Sequence, residues 1–348
     1  MTNYLKPELL QENVSRYLDY NVNVLVSAGF EDRTQALFYK FKAHNVRINS
    51  TIVIDYENST INEPNRSSLL RIASEISNDL NVVTEGELLN NIDNIINEKI
   101  RSKLIIDITG MSRLQFYNIM NCLSNNNIRF DIAYSEAEKY YPDKEFYERL
   151  KIESHDNEDL FFNAYQKEAD AEMVYSFDCE IIQPIAFRGR PEPGRSAALV
   201  GFLTFKRSRL QSILRRYEFS KRFLILGEPV RDEIKWRKEM MELINGDLLK
   251  KRDSEIFTMH TLYPQETYDL LDRIIYQSGE YKKYNIYLAP LGSKMQTLGT
   301  YIFWRNHQEI ATVFSQPKKY FINAYSHSWK DTFIIKSENL IKLLQVVQ

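Results

Sequence analysis

The sequence predicts an α/β protein made of two parallel-sheet units in tandem, with a central insert between them. Two observations lead to this fold class. Short apolar runs rich in β-branched residues alternate with segments of helical spacing, and the same order of runs occurs twice along the 348 residues. A hydrophobic content of 43%, with only 11 glycines and 10 prolines, excludes a disordered or collagen-like chain.

In the first half of the chain, strands are predicted at residues 22–29, 50–56, 104–108 and 129–135. Helices are predicted between and around them, at residues 31–42, 66–80, 86–100 and 112–123. Continuously apolar strands separated by helices indicate a parallel sheet with helices on both faces. We therefore predict a Rossmann-like unit over residues 1–150.

In the second half, strands are predicted at residues 222–227, 256–260, 285–289 and 309–315, with helices at 231–244, 267–277 and 294–304. Individual side chains also repeat, since Tyr134-Ser135 with Lys139-Tyr140 returns as Phe314-Ser315 with Lys319-Tyr320. The repeat predicts a second unit over residues 221–348 that packs on the first as a pseudo-dimer.

The segment between the copies, residues 151–220, is predicted to be an insert or linker with an Arg-rich loop. Arg188, Arg190 and Arg195 lie in a stretch whose glycines and prolines predict a loop, followed by a strand at 199–205 and a basic helix at 208–217. These arginines are candidates for contact with a protein partner or with nucleic acid. A solvated charged face is the alternative interpretation. The formal charge of −2, from 45 basic and 47 acidic residues, argues against nucleic-acid binding through bulk charge.

The signals for compartment and cofactor are simple. Cys122 and Cys179 are the two cysteines of the sequence, and their spacing fits neither a disulfide framework nor a zinc site. The N-terminal segment lacks the pattern of a secretory signal, and no apolar run approaches the ~20 residues that span a bilayer. We predict a cytoplasmic protein with no membrane partner and no cofactor. The Walker A, Gly-x-Gly-x-x-Gly and Gly-x-Ser-x-Gly motifs are missing from the sequence, which favours a role other than catalysis and leaves the question of enzyme activity open.

The most informative pattern is Asp107-Ile-Thr-Gly-Met-Ser-Arg113. A strand that ends in an acid is followed here by Thr109-Gly110, and then by Ser112 and Arg113 at the start of a helix. Such a turn can hold an anion through helix N-terminal N–H groups and the Arg113 side chain. Its counterpart, Gly292-Ser293-Lys294, repeats the glycine, the hydroxyl and the cation. An ordinary helix cap explains the same residue types, and both interpretations stay open.

The pattern around Asp107 resembles the second ligand-binding motif of CARF domains, the Rossmann-like nucleotide sensors of CRISPR-associated systems. Those domains typically show Asp-x-Thr-Gly-Gly-Thr-Lys. Two fused copies are similar to the SAVED arrangement, a single-chain pseudo-dimer that binds cyclic oligonucleotides. The resemblance implies that Thr109, Gly110, Ser112 and Arg113 face a ligand, together with Gly292, Ser293 and Lys294. Asp107, which ends the strand before this turn, is a further candidate for ligand binding. Met111 stands where the family has its second glycine, and the second copy lacks the Asp-x-Thr lead.

A second pair of loops follows the first strand predicted in each unit. Gly29-Phe-Glu-Asp-Arg33 and Gly227-Glu-Pro-Val-Arg231 share glycine, acid and arginine in the same order. Arg33 and Arg231 are candidates for phosphate binding, and Glu31 or Asp32 for contact with a ribose or a cation. The alternative is that these acids complement a helix dipole.

The function predicted from these observations is sensing of a nucleotide or cyclic oligonucleotide second messenger, and the resemblance to CARF domains implies a role in prokaryotic antiviral defence. The twin loops would oppose each other across one cleft, and the insert would transmit binding to a protein effector encoded nearby. Two alternatives remain. One is a structural or adaptor subunit of a defence ATPase or nuclease complex. The other is a metal-dependent enzyme acting on nucleotides or nucleic acid through Asp107, Glu31 and Asp32.

Overall fold

The computed structural model describes residues 5–18, 22–56, 62–91, 103–155, 157–168, 179–318 and 325–344. The chain divides into two compact units. Unit 1 comprises Met1–Tyr141 and Tyr325–Gln348, and unit 2 comprises Pro142–Ala324. Among the described residues, no helix is both long enough and apolar enough to cross a membrane.

Unit 1 contains a mixed sheet of seven described strands, in the order β1-β14-β6-β5-β2-β3-β4. The strands are β1 (Glu8–Leu9), β2 (Val22–Ser27), β3 (Ile48–Asp55), β4 (Ser77–Thr84), β5 (Leu104–Asp107), β6 (Phe130–Lys139) and β14 (His327–Ile335). The five neighbouring strands from β6 to the edge strand β4 run parallel, and β14 pairs antiparallel with β6. The predicted parallel sheet is therefore present, with an antiparallel extension built from the C-terminal segment.

Helices connect the strands of unit 1 and cover the sheet. They are α1 (Leu10–Asn13), α2 (Ser15–Leu18), α3 (Ala36–Ala43), α4 (Glu63–Ile76), α5 (Glu85–Asn90), α6 (Arg113–Asn125) and α15 (Ser337–Leu344), with a 3-10 turn at Asp32–Gln35. The strands β2 and β5 are buried along their whole length. Val24, Val26 and Ile105 pack with Phe38 and Phe41 of α3 in the core, as expected for a central strand covered by a helix.

Unit 2 contains a parallel sheet of five described strands, in the order β10-β9-β8-β11-β12. They are β8 (Ala197–Phe202), β9 (Lys221–Glu228), β10 (Ser254–His260), β11 (Asn285–Ala289) and β12 (Ala311–Thr312). A separate antiparallel pair joins β7 (Cys179–Ile182) to β13 (Phe314–Pro317). The α/β fold class predicted from sequence is confirmed in both units.

The α-helices of unit 2 are α7 (Lys144–Glu153), α8 (Glu158–Glu168), α9 (Arg207–Arg216), α10 (Trp236–Ile244), α11 (Gly246–Leu249), α12 (Pro264–Leu271), α13 (Glu280–Lys283) and α14 (Lys294–Asn306). Two 3-10 turns lie at Ile185–Phe187 and Asp232–Ile234, and a π-helical turn at Asp272–Gln277 continues α12.

Both parallel sheets have the same topology. In chain order, their five parallel strands stand in the spatial order 3-2-1-4-5, so β2 corresponds to β8, β3 to β9 and β5 to β11. The strand at 222–227, predicted to be the first of its unit, is thus the second one, and the first is β8 from the predicted insert. The hydrogen-bond register decides this, because β8 lies between β9 and β11. Residues 151–220 therefore contain part of the second sheet.

Other elements also differ from prediction. The strand β4 was missed and partly assigned to the helix at 66–80, because β4 is an edge strand whose residues are half-buried or exposed and form no apolar run. The segment at 309–315 forms two short strands, β12 and β13. Lys319-Tyr320, and most of the helix predicted at 86–100, lie outside the described residues. The pseudo-dimer stays a prediction.

Candidate functional site

The loop after β5 carries the pattern singled out in the sequence. Asp107 is the last residue of the strand and is fully buried. One carboxylate oxygen, Oδ1, accepts a hydrogen bond of 2.9 Å from the Thr109 backbone N–H. The other oxygen, Oδ2, is buried and has no hydrogen-bond partner among the described residues. Burial raises the pKa of Asp107 to about 6, although the hydrogen bonds from Thr109 and the positive charge of Arg33 partly oppose this shift.

Thr109 ties this loop to the next strand. Its side chain is fully buried, and its Oγ1 accepts a hydrogen bond of 2.9 Å from the backbone N–H of Ser135 in β6. The Asp-x-Thr pattern therefore uses both of its polar side chains inside the protein. The pattern holds the turn in shape at the carboxyl end of the sheet.

Gly110 lies where the loops after β2 and β5 cross at close range. A Cβ atom at Gly110 would stand 2.5 Å from the backbone oxygen of Ser27 and 2.7 Å from Cγ2 of Thr34. A Cβ atom at Gly29 would stand 2.8 Å from the backbone oxygen of Gly110. Both glycines are needed because no side chain fits between these two backbones.

Ser112 is the N-cap of α6, and its hydroxyl accepts a hydrogen bond of 3.1 Å from the N–H of Gln115. The side chain of Gln115 is buried and accepts a hydrogen bond of 2.6 Å from the Ser27 hydroxyl. Ser112 and Arg113 are half-buried, so this end of the helix reaches the solvent. A 13-residue helix that begins at a cation can stabilise an anion here through its dipole and its N-terminal N–H groups.

Arg33 and Glu31 bind each other. Arg33 is only 7% exposed. Its guanidinium donates a hydrogen bond of 2.9 Å to Oε2 of Glu31 and another of 2.8 Å to the backbone oxygen of Ser135. The other oxygen of Glu31 accepts a hydrogen bond from the Ser326 hydroxyl. The carboxylate of Asp32 accepts a bond of 2.9 Å from the backbone N–H of Ser328. These contacts join the loop after β2 to β6 and to the C-terminal segment.

Two residues of this edge were missed in the sequence. Asn65, in α4, donates through Nδ2 to the backbone oxygens of Gly29 and Glu31 and to Oγ1 of Thr34. The Tyr56 hydroxyl accepts from the Ser112 N–H at 2.9 Å and lies 3.0 Å from the Gly110 backbone oxygen. A buried asparagine near a helix start carries no distinctive local pattern, and only the folded chain brings it to these loops.

In unit 2, Gly292, Ser293 and Lys294 follow β11, the strand that corresponds to β5. Ser293 is the N-cap of α14, whose 13 residues match the length of α6. Its hydroxyl accepts from the N–H of Gln296 at 3.0 Å and donates to the backbone oxygen of Thr261 at 2.5 Å. The backbone N–H of Ser293 donates a hydrogen bond of 2.9 Å to Oε1 of Gln296, and this second bond completes a capping box.

The two loops therefore share more than was predicted. Gln115 and Gln296 each stand three residues after the capping serine, so both units read Ser, cation, apolar residue, Gln at the helix start. The glutamines were overlooked as part of the repeat, although the sequence contains this signal. The topology places the two loops at the same position of two sheets with the same strand order.

The predicted pairing of Arg231 with Arg33 does not follow the topology. Gly227 lies in β9 and Arg231 in the loop after it, so their counterparts in unit 1 are residues at the end of β3, such as Asp55. The guanidinium of Arg231 lies 3.7 Å from a carboxylate oxygen of Glu233. The shared order of glycine, acid and arginine suggested the wrong pair of strands. The loop after β2 and the loop after β9 both contain these residue types, although the two strands are not equivalent.

The Arg-rich loop folds against the beginning of β11 and β12. Arg190 and Arg195 line a cavity there, whereas Arg188 is exposed and does not line it. For the metal-dependent alternative, the described part of the chain brings together no group of three or more His, Cys, Asp or Glu side chains suited to a metal ion.

Comparisons with known proteins add a fold likeness. No protein-family model matches the sequence, and no curated protein matches it. A solved structure of a type III CRISPR defence DNA nuclease activated by cyclic oligoadenylate is similar at a TM-score of 0.52. The two chains are 9% identical, and the match covers 92% of this chain and 69% of that one.

A second solved structure is the cytoplasmic domain of a prokaryotic cation chloride cotransporter. It is 8% identical and covers 86% of this chain and 95% of that one, but its TM-score of 0.25 carries no argument. At 9% identity, the likeness to the nuclease shows the fold alone.

Proposed function

We propose that this chain is a regulatory protein of prokaryotic antiviral defence that binds a nucleotide or cyclic oligonucleotide second messenger. The loops at 107–113 and 292–294 would contact the ligand, with its phosphates bound by Arg113 and Lys294. A protein effector would receive the signal. The structurally similar nuclease is activated by cyclic oligoadenylate, which makes that compound the first ligand to test.

One observation supports this proposal above the others. Two sheets of identical strand order carry, after the same strand, a glycine, a capping serine and a cation at the start of a 13-residue helix. A helix cap needs the serine but does not need a cation at the next position, since a positive charge is unfavourable at a helix N-terminus. A cation retained there in both units is favourable when an anion binds at the same helix end.

The side chains of the two loops fall into two groups, those engaged within the protein and those that could contact a ligand. The hydroxyl of Ser293 is engaged as both donor and acceptor, and that of Ser112 caps its helix. Asp107 and Thr109 are fully buried. The ligand contacts would therefore come from Arg113, Lys294 and the backbone N–H groups, while the other predicted residues would position the loops.

The experiment is a titration of the intact chain with labelled cyclic oligoadenylates of several ring sizes. We expect saturable binding that is lost, by about tenfold or more per cation, in Arg113→Ala and Lys294→Ala and most strongly in the double variant. The matched control is Arg129→Ala with Lys251→Ala. It removes the same charge from exposed residues that precede strands β6 and β10.

The outcomes separate the candidate functions. Loss in both double variants would point to general charge attraction and would contradict the assigned loops. If the native chain binds none of the compounds, the adaptor alternative is favoured. Turnover of a nucleotide or nucleic acid that requires a divalent metal would favour the enzyme alternative.

A further inference from the structure

A cavity of about 380 Å³ lies at the amino end of the unit 2 sheet, away from the loop that begins α14. Its lining includes the cations Arg190, Arg195 and Lys282 and the rings of Tyr281, Tyr284 and Tyr287. Asn285 and Ala311 are the first residues of β11 and β12, so the cavity opens at the edge opposite to the carboxyl ends of these strands. Its volume falls within the range of small-molecule sites, ~300–1,000 Å³.

The wall formed by the Arg-rich loop is held in place by the backbone. The Asn285 side chain accepts from the Glu192 N–H at 2.8 Å and donates to the backbone oxygens of Glu192 and Arg195, each at 2.9 Å. Gly189 has a φ of +65°, and a Cβ there would stand 2.5 Å from the Glu309 backbone oxygen. The loop therefore needs glycine to approach β12, and these contacts hold this wall of the cavity in place.

The charges that line the cavity leave a positive balance. Three cations and two acids sum to +1, and the acids already have partners. Glu192 pairs with Arg195, and Glu309 accepts a hydrogen bond from Tyr276. Arg190 and Lys282 are exposed, and neither forms an ion pair with any of the described residues, although Nζ of Lys282 lies 5.5 Å from the centroid of the Tyr281 ring. Two cations are thus available to an anionic group, and guanidinium and ammonium groups are the usual partners of phosphate.

Three tyrosines supply flat apolar surface. Tyr281 stacks on Tyr276 at 4.2 Å between ring centroids, with the planes 4° apart. Tyr287 packs against Tyr217 and Phe219 at 5.4 and 5.8 Å. Rings braced by neighbours lose little conformational freedom when a planar group packs on them.

From this combination we infer that the cavity binds a nucleotide, with its base against the tyrosines and its phosphate on Arg190 and Lys282. The nucleotide is either free or the 5′-phosphorylated end of a single strand, since both present the same chemistry. Within unit 2, this site lies at the opposite edge of the sheet from the loop at 292–294, and the inference does not depend on the proposed function.

The test uses adenosine 5′-monophosphate, with adenosine and inorganic phosphate as its separate parts, in calorimetric titrations of the intact chain. We expect the nucleotide to bind more tightly than either part. We expect the double variant Arg190→Ala with Lys282→Ala to bind the nucleotide about tenfold or more weakly and to bind adenosine with unchanged affinity. Arg188→Ala is the matched control, because this exposed arginine of the same loop does not line the cavity.

Two further arms complete the design. A 5′-phosphorylated thymidine oligomer that binds more tightly than both the mononucleotide and its unphosphorylated form would identify the strand end as the ligand. Arg113→Ala with Lys294→Ala must leave nucleotide binding here unchanged, which separates this site from the proposed sensor loops. Absence of saturable binding at concentrations on the order of millimolar, or equal weakening by Arg188→Ala, would overturn the inference.

Discussion

The turns at the carboxyl edges of the two sheets share the residues that begin the next helix, but they differ in the residues that they bury. In unit 1 the last residue of β5 is Asp107 and the following turn contains Thr109, both polar and fully buried. In unit 2 the corresponding residues are Ala289 and Leu291, which are apolar and buried. What both turns keep is glycine, a capping serine, a cation and a glutamine.

This comparison separates two kinds of requirement. The shared glycine, serine and glutamine belong to the geometry in which a strand turns into a helix at close range and the helix start must be capped. Capping does not require the shared cation. The buried polar residues belong to unit 1 alone. There, Thr109 bonds to the backbone of β6, and the hydrogen bonds of Arg33 fasten the loop after β2 to the same strand.

The largest effect is expected at the glycines. Gly110→Ala should lower the free energy of unfolding by about 3 kcal/mol, because its Cβ would meet backbone atoms that cannot move aside. At Gly292 the obstructing atoms belong to the side chains of Gln296 and Phe202, so Gly292→Ala should cost about 1 kcal/mol. Urea unfolding measures both.

The control is Gly86→Ala in α5, where a Cβ meets nothing within 4 Å. This change should be neutral or stabilise by about 0.5–1 kcal/mol. Equal losses at Gly110 and Gly292 would show that the two turns are not different in tightness.

The second effect concerns pH. The pKa of Asp107 is about 6 in the folded chain, whereas the ordinary value for an aspartate, which applies to the unfolded chain, is 3.8. Between these values the folded protein keeps a proton that the unfolded chain has released. Stability of unit 1 should therefore fall by about 2–3 kcal/mol as the pH rises from about 4 to about 6.

The variant Asp107→Asn keeps an oxygen to accept the Thr109 N–H and removes the charge. It should match the native chain near pH 4 and exceed it in stability at pH 7, measured by amide hydrogen exchange in β5 and α6. Unit 2, with Ala289 at this position, provides the internal reference. An unchanged pH profile in the variant would show that Asp107 is not the titrating group.

The third effect is at Asn65, which is 7% exposed and donates to three acceptors of the loop after β2. Asn65→Ala removes the donor that these acceptors share, although the Glu31 oxygen keeps the N–H and hydroxyl of Thr34, and should cost about 2 kcal/mol. Asn118→Ala, which removes one half-buried bond to Glu85, should cost about 1 kcal/mol or less. A similar loss in the free energy of unfolding for both variants would contradict the inference that Asn65 holds the loop after β2 in place.

The smallest effect compares the caps. Ser112→Ala should cost about 1 kcal/mol, the usual value for an N-cap. Ser293→Ala should cost more, since the backbone oxygen of Thr261 also loses its donor. Thermal unfolding of both, with the exposed Ser67→Ala as reference, gives the order. A larger loss at Ser112 would reverse the comparison.

Much of the fold was predictable because buried strands are apolar along their length. The strands β2, β5 and β11 were located this way, and the starts of α6 and α14 followed from the capping pattern. The edge strand β4 was missed because it buries neither face completely. Within the candidate site, the glycine, serine and cation were found from their order, whereas Asn65 and Tyr56 act from distant parts of the chain.

By itself, the sequence determined the alternation of strands and helices and the pair of capped turns, since both depend on neighbours within a few residues. Tertiary structure alone decided which strands are equivalent, because strand order is set by hydrogen bonds between segments far apart in the chain. It likewise decided that Arg33 turns inward to Glu31 while Arg190 faces a cavity. The same residue type is a structural brace or a candidate binding group according to which acids and carbonyls the fold brings beside it.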